Sequence, residues 1–305
     1  MRSKFIIIAA LFLLTSHVLP FTLPAARAET ITVTDDLGRS VRFTTLPQRI
    51  VSLAPGLTEI LFSLGLDDRI VGVTDYCNYP PAAVTKPRVG GLNPNLEKII
   101  SLHPDLIVAV AGIYQNQSLA RFEQFHVPYF TVDPSSIEKI FETILVLGKI
   151  TGAEETAAEK VRQLRGRLNS LQQKLQSDPR PRLLYVVDDE PLISVGKGSY
   201  LNDLIREAGG VNITGGLEKA YPIVSMEYVI RQNPEVIVLA MDADQVLSDQ
   251  EKHHWSRWSS LPAVRNGKIY KVSRDLLNRP GPRILDGVEE LARLLHPAAD
   301  LQPVR

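Results

Sequence analysis

A single cysteine, Cys77, stands in a chain of 305 residues. No internal disulfide is available, so the fold has to be held by packing, and the thiol reads as a small buried side chain. An excess of one charge is lacking too, because 34 basic side chains balance 34 acidic ones. Bulk charge gives no support to a nucleic-acid partner. Catalytic signatures are missing as well: the chain has no G-x-S-x-G elbow, no P-loop and no H-E-x-x-H helix, which argues against three common enzyme chemistries. Gly196-Lys197-Gly198 opens a G-x-G-x-x pattern, but Leu201 stands where a dinucleotide-binding turn needs its third glycine. His253-His254 lies in a polar stretch beside Trp255 and Trp258 and reads as solvated surface rather than a metal site.

Long apolar runs are equally scarce. The strongest, Phe5 to Leu14, covers ten residues, and Pro20 and Pro24 break the stretch beyond it, well short of the roughly 20 that span a bilayer. Arg2 and Lys4 precede it, and Ala26-Arg27-Ala28 supplies small residues where a signal peptidase reads. The pattern predicts a secretory signal over 1–28, cut before Glu29, and an exported mature protein. Cleavage removes three basic residues and no acid, leaving 31 basic against 34 acidic groups, a formal charge of −3 on 277 residues.

The mature chain offers ordinary globular material, with 44% hydrophobic and 7% aromatic residues, and its length suggests two domains. Ile31-Thr32-Val33-Thr34 and Val41-Arg42-Phe43 alternate around Asp36-Leu37-Gly38 and predict a hairpin. Beyond it, short β-branched runs at Ile50–Leu53, Ile70–Val73, Leu106–Val110, Tyr129–Val132, Leu183–Val187, Val236–Leu239 and Ile269–Val272 are separated by helix-length segments. That spacing predicts parallel sheets covered by helices on both faces. Between 136 and 177 the composition turns to Glu, Ala, Lys, Gln, Arg and Leu, with Val161, Leu164, Leu168, Leu171 and Leu175 at helical spacing. A helix from Ala153 to Gln176, about 36 Å long at 1.5 Å per residue, is expected to join two α/β lobes as a stiff spacer. The expected division is therefore a lobe over 29–152, a connecting helix over 153–178 and a second lobe over 179–305.

The most informative pattern is an internal echo. The run Asn95-Leu96-Glu97 to Pro104-Asp105-Leu106 aligns without gaps, at an offset of 130, with Ser225-Met226-Glu227 to Pro234-Glu235-Val236. Each copy reads as a polar N-cap, an acid, an apolar stripe, a proline stop, another acid and a buried strand. Glu97 and Glu227 are then expected at equivalent surface points, a pseudo-symmetric pair of charges suited to a symmetric dimer carrying basic pockets.

Ser52-Leu53-Ala54-Pro55-Gly56-Leu57-Thr58-Glu59-Ile60-Leu61, the two echoed runs and Pro282-Arg283-Ile284 resemble the periplasmic substrate-binding proteins that feed ABC importers for cobalamin, heme and iron siderophores. The likeness runs from about Arg49 to Leu295 and is nearest to the family's cobalamin-binding members. It implies two Rossmann-like α/β lobes with mostly parallel central sheets joined by one rigid helix. It also implies a corrinoid, cobalamin, carried as transported ligand in the interlobe cleft, with heme or a ferric siderophore as the alternative. No prosthetic group, metal or catalysis is implied. The implied partner is an importer's permease dimer with its cytoplasmic ATPase, met by a monomer that docks through Glu97 and Glu227. Ligand contacts carry over to Gly56, Tyr76, Tyr221, Asp275 and Arg279. Gly91 and Val110 stand where the cobalamin-binding members have tryptophans, and Val187 where they have phenylalanine, so a less aromatic cleft is expected, with Ile113 or Tyr114 filling part of the space.

Overall fold

The computed structural model describes residues 30–113, 121–122, 124–125, 127–241 and 247–301. The signal reading at 1–28 and the space-filling reading of Tyr114 lie outside them. Within them, Ile31–Thr34 (β1) and Ser40–Phe43 (β2) form the antiparallel hairpin expected from their alternation. Its turn is fixed by the Asp35 carboxylate, which accepts from the Leu37 and Arg39 backbone N–H groups at 3.1 and 2.9 Å. The same carboxylate accepts from the Thr131 hydroxyl at 2.6 Å and so ties the hairpin to the first sheet.

Ile50–Ser52 (β3), Ile70–Val73 (β4), Leu106–Val110 (β5) and Tyr129–Val132 (β6) make that sheet, all parallel, in the order β4-β3-β5-β6. The helices Pro55–Ser63 (α1) and Leu96–Ser101 (α2) lie between its strands in sequence. A two-helix segment comes next, Ile137–Thr151 (α3) and Glu154–Leu175 (α4). Gly152 separates them in the left-handed conformation at φ 73°, which glycine adopts without the Cβ penalty. The second sheet uses Arg182–Val186 (β7), Val211–Asn212 (β10), Val236–Met241 (β11) and Ile269–Ser273 (β12) in the order β10-β7-β11-β12. A small hairpin, Asp188–Asp189 (β8) with Leu192–Ile193 (β9), succeeds β7. The helices of this half are Tyr200–Glu207 (α5), Met226–Gln232 (α6), Asp249–Ser256 (α7), Pro262–Arg265 (α8), Arg274–Leu277 (α9) and Ile284–Leu295 (α10). No helix among the described residues is long and apolar enough to cross a membrane.

The inner strands of both sheets, β3 and β5 in one and β7 and β11 in the other, are buried on both faces, as parallel strands covered by helices are. Along β5, Leu106 and Val108 belong to one apolar cluster, while Ile107 and Ala109 belong to another on the opposite face. Along β7 and β11, Leu183, Tyr185, Val236 and Val238 share the first of these clusters, and Leu184, Val186, Ile237 and Leu239 face the other way. One continuous core therefore joins the inner faces of the two sheets. Val161, Leu164, Leu171 and Leu175 of α4 complete it. The 22 residues of α4 span about 33 Å. Gly148 of α3 lets Ala157 of α4 approach, since a Cβ there would stand 2.4 Å from that of Ala157. Further along α4, Arg167 pairs with Asp286 at 2.6 Å and Glu289 at 2.8 Å on α10.

The echo is a matter of structure as well as sequence. In each sheet the chain visits its strands in the same spatial order, second-first-third-fourth. Ahead of the third strand, Asn95 accepts from the Lys98 N–H at 2.9 Å and Ser225 from the Tyr228 N–H at 3.2 Å, capping α2 and α6 alike. His103 and Asn233 end those helices at φ 48° and 52°. Asp105 then accepts from the Arg49 N–H at 2.8 Å and Glu235 from the Arg182 N–H at 2.9 Å, locking the third strand of each sheet to the first.

Candidate functional site

In a parallel α/β sheet, ligands gather outside the carboxyl ends of the strands, where loops diverge and backbone groups are left unpaired. Gly56 follows β3, Tyr76 follows β4, Val110 ends β5, Val187 follows β7, Tyr221 lies in the loop after β10, and Asp275 and Arg279 follow β12. Gly91 lies just past Val89, which bonds back to Val73 of β4. All eight residues that the resemblance pointed to are thus at carboxyl edges.

Tyr76 and Gly91 meet. A Cβ at Gly91 would stand 3.1 Å from the Tyr76 hydroxyl, so the absence of a side chain at 91 makes room for the Tyr76 ring. Tyr76 is 54% exposed. The loop beyond it is anchored by Cys77, fully buried, whose sulfur accepts from Thr58 Oγ1 at 3.2 Å and lies 3.1 Å from Thr74 Oγ1.

Asn78, one residue further, reaches the other half of the molecule. Its side-chain amide donates to Asp275 Oδ2 at 3.2 Å, and its oxygen accepts from Arg279 at 2.5 Å. Arg279 in turn donates to Asp275 Oδ1 at 2.5 Å and lies 3.7 Å from Glu59. Glu59 sits in α1, only 3% exposed, and accepts two hydrogen bonds from Arg283, at 2.8 and 2.6 Å. Burial pushes the Glu59 carboxyl up, while the hydrogen bonds and charge of Arg283 and the charge of Arg279 act to hold it down. The Arg283 guanidinium also lies over the Tyr79 ring, 3.7 Å from its centre.

Two of these residues also meet the opposite lobe. A Cβ at Gly56 would stand 2.3 Å from the Pro280 carbonyl oxygen, so its missing side chain makes room for that backbone. The Arg279 side chain is 11% exposed, bonds to Asp275 and Asn78 and lies near Glu59.

On the second lobe, Tyr221 is half exposed, in a loop held by hydrogen bonds from Ser194 N–H to the Pro222 carbonyl and from Gly196 N–H to the Ala220 carbonyl. Gly196 carries no Cβ because the Lys219 carbonyl oxygen would lie 2.1 Å from it. The first glycine of that G-x-G run therefore serves a tight backbone contact. Behind Tyr221, the buried Tyr185 donates to Asn278 at 2.7 Å and Tyr200 to the Leu277 carbonyl at 3.2 Å. Burial first, and the Tyr221 phenol second, push both hydroxyls well above the ordinary tyrosine value. Both stay protonated hydrogen-bond donors. Val110 and Val187 are half-buried at their strand ends, and Ile113 is 47% exposed.

Glu97 and Glu227 are exposed in the first turns of α2 and α6, and neither forms an ion pair with a described residue. The residues that sequence reading passed over are Glu59 and Asn78. Glu59 had a signal: it is a carboxylate inside the apolar stripe Leu57, Ile60, Leu61, a position a charge occupies only with a partner.

The chain belongs to the periplasmic binding protein family, whose pattern matches residues 50–276. It is 33% identical over 250 residues to the vitamin B12-binding protein of Vibrio cholerae, covering 81% of this chain and 89% of that one. It is 29% identical over 274 residues to an ABC transporter substrate-binding lipoprotein of Bacillus subtilis, YvrC, covering 88% and 86%. Among solved structures, the periplasmic vitamin B12 binding protein BtuF of Vibrio cholerae superposes with a TM-score of 0.73 at 32% identity, over 83% of this chain and 98% of that one. A periplasmic heme binding protein of Pseudomonas aeruginosa superposes at 0.74 with 24% identity, over 85% and 96%, a likeness of fold.

Proposed function

We propose that this protein captures a corrinoid, cobalamin, in the crevice between its two sheets and delivers it to an ABC importer in the inner membrane. The observation that carries the reading is the 33% identity to a vitamin B12-binding protein over 81% of this chain. The crevice chemistry agrees with it. Tyr76 and Tyr221 offer exposed aromatic faces to a macrocycle. Arg279 and Arg283 are neutralised by Asp275 and Glu59, which suits an amide-rimmed ligand better than one carrying carboxylates.

On this reading Gly56, Tyr76, Gly91, Val110, Val187, Tyr221, Asp275 and Arg279 form or support the ligand site. The protein performs no catalysis and acts as a monomer in the periplasm after cleavage before Glu29, with lobes over 29–152 and 179–305 joined by 153–178. Glu97 and Glu227 dock it on the permease dimer. Ligand favours the ordered crevice by binding it better than the open one, and the importer then separates the lobes.

The second reading is heme, favoured by exposed tyrosines at the crevice that can serve as an axial ligand. Isothermal titration of residues 29–305 with cyanocobalamin, cobinamide and hemin separates the two. Tight one-to-one binding of cyanocobalamin with no response to hemin is the expected result. A hemin isotherm with a tyrosinate-type absorption spectrum, and silence with cyanocobalamin, overturns it.

A further inference from the structure

Three features converge at the base of the crevice. Arg283 at the start of α10 holds Glu59 of α1 through two hydrogen bonds, at 2.8 and 2.6 Å. Asn78, in the loop after β4, bonds to both Asp275 and Arg279. Between them Gly56 and Gly281 pass backbone to backbone, a Cβ on Gly281 standing 3.0 Å from the Gly56 oxygen. Each of these contacts joins the first lobe to the second, through segments that lie beyond the carboxyl ends of β3, β4 and β12.

The connecting helix alone leaves one freedom. A single helix fixes the distance between two lobes along its own axis, yet allows them to rock about it. The contacts through Glu59 and Asn78 are a second attachment beside the first. Between the two attachments lies a cavity of about 400 Å³, lined by Glu59, Phe62, Tyr79 and Arg283 on one side and Gln163 and Arg167 of α4 on the other. Unlike the apolar core that the two lobes share, this tie is polar and borders open space, so its hydrogen bonds can be removed without emptying that core.

We propose that Glu59 and Arg283, supported by Asn78, are positioning residues: a clasp that fixes the 275–279 segment under the ligand and governs how fast the lobes part to release it. The inference deepens the transport reading and rests on it for its ligand. Removing the clasp widens the range of interlobe distances and speeds ligand departure, with little change in encounter, since differences among variants of one site appear mainly in the off-rate.

The experiment uses Glu59→Leu with Arg283→Met, a pair that replaces the ion pair by apolar side chains and keeps the site filled, a replacement folds commonly tolerate. Asn78→Ala is the second variant. Spin labels placed at Lys98→Cys and Arg231→Cys report the interlobe distance in ligand-free protein, with the buried Cys77 out of reach of the label. Stopped-flow with cyanocobalamin reports the two rate constants. Expected are a broadened distance distribution and an off-rate raised at least about tenfold, with the on-rate within about threefold, in protein that melts as one transition. Unchanged distances and an unchanged off-rate in folded double variant and Asn78→Ala overturn the clasp. Failure of the wild-type protein to bind cyanocobalamin would sink the transport reading instead, and the distance measurement would then decide the clasp alone.

Discussion

Arg283 and Glu59, 224 positions apart in the chain, meet through two hydrogen bonds at 2.8 and 2.6 Å. Glu59 is 3% exposed, so the carboxylate has exchanged water for this guanidinium. Losing Arg283 leaves that buried carboxylate without the guanidinium that holds both its oxygens. Arg283→Ala should therefore cost about 3–5 kcal/mol, read as a shift in the urea midpoint. Glu59→Leu with Arg283→Met should cost clearly less, and equal losses would show that the site cannot repack.

Gly56 offers a sharper steric test. A methyl group there would stand 2.3 Å from the Pro280 carbonyl oxygen, and neither backbone can yield without moving a lobe. Gly56→Ala should destabilise by about 1–3 kcal/mol, as overpacking does, and should weaken cyanocobalamin binding in the same protein. A variant that melts and binds like wild type would show that the lobes separate freely at this point.

At Gly91 the neighbour is the tip of an exposed side chain, so the balance differs. Gly91→Trp should displace the Tyr76 ring while changing stability by no more than about 0.5 kcal/mol, as surface substitutions do. Its effect belongs in the ligand isotherm: cyanocobalamin affinity should change at least about fivefold, and no change would remove Tyr76 and Gly91 from the ligand surface.

Asp35 carries a pH dependence. Burial alone would raise its pKa, but the Thr131 hydrogen bond and those of Arg39 together hold it below the ordinary aspartate value of 3.8. A lowered folded pKa means that the stabilisation is present above that ordinary value and lost as pH falls through the folded one. Asp35→Asn should cost about 2 kcal/mol at pH 7, a magnitude usual for hydrogen bonds to a charged group. The gap between wild type and variant in denaturant melts should shrink below pH 3.8, and a gap independent of pH would contradict the assignment.

Docking is tested by charge. Glu97→Arg with Glu227→Arg should abolish uptake of labelled cyanocobalamin and leave affinity nearly unchanged, because both side chains are solvent-exposed at helix starts and neither is among the residues proposed to hold the ligand. A fall in affinity parallel to uptake would end the docking reading.

The sequence by itself determined the layers and the repeat. Short β-branched runs spaced by helical stretches mean parallel strands because nothing else buries both faces of such runs, and the offset of 130 between Glu97 and Glu227 survived as two sheets with one strand order. Gly152 and the leucine stripe of α4 were legible for the same reason: backbone freedom and helical period act within a few residues. The two-residue strand Val211–Asn212 was not, since it exists only by pairing with β7. Nor were the partners of Glu59, Asn78 and Gly56. What a buried carboxylate pairs with, and what fills the space beside a glycine, depends on segments some 200 residues away, and only the closing of one lobe upon the other brings Pro280 to Gly56 and Arg283 to Glu59.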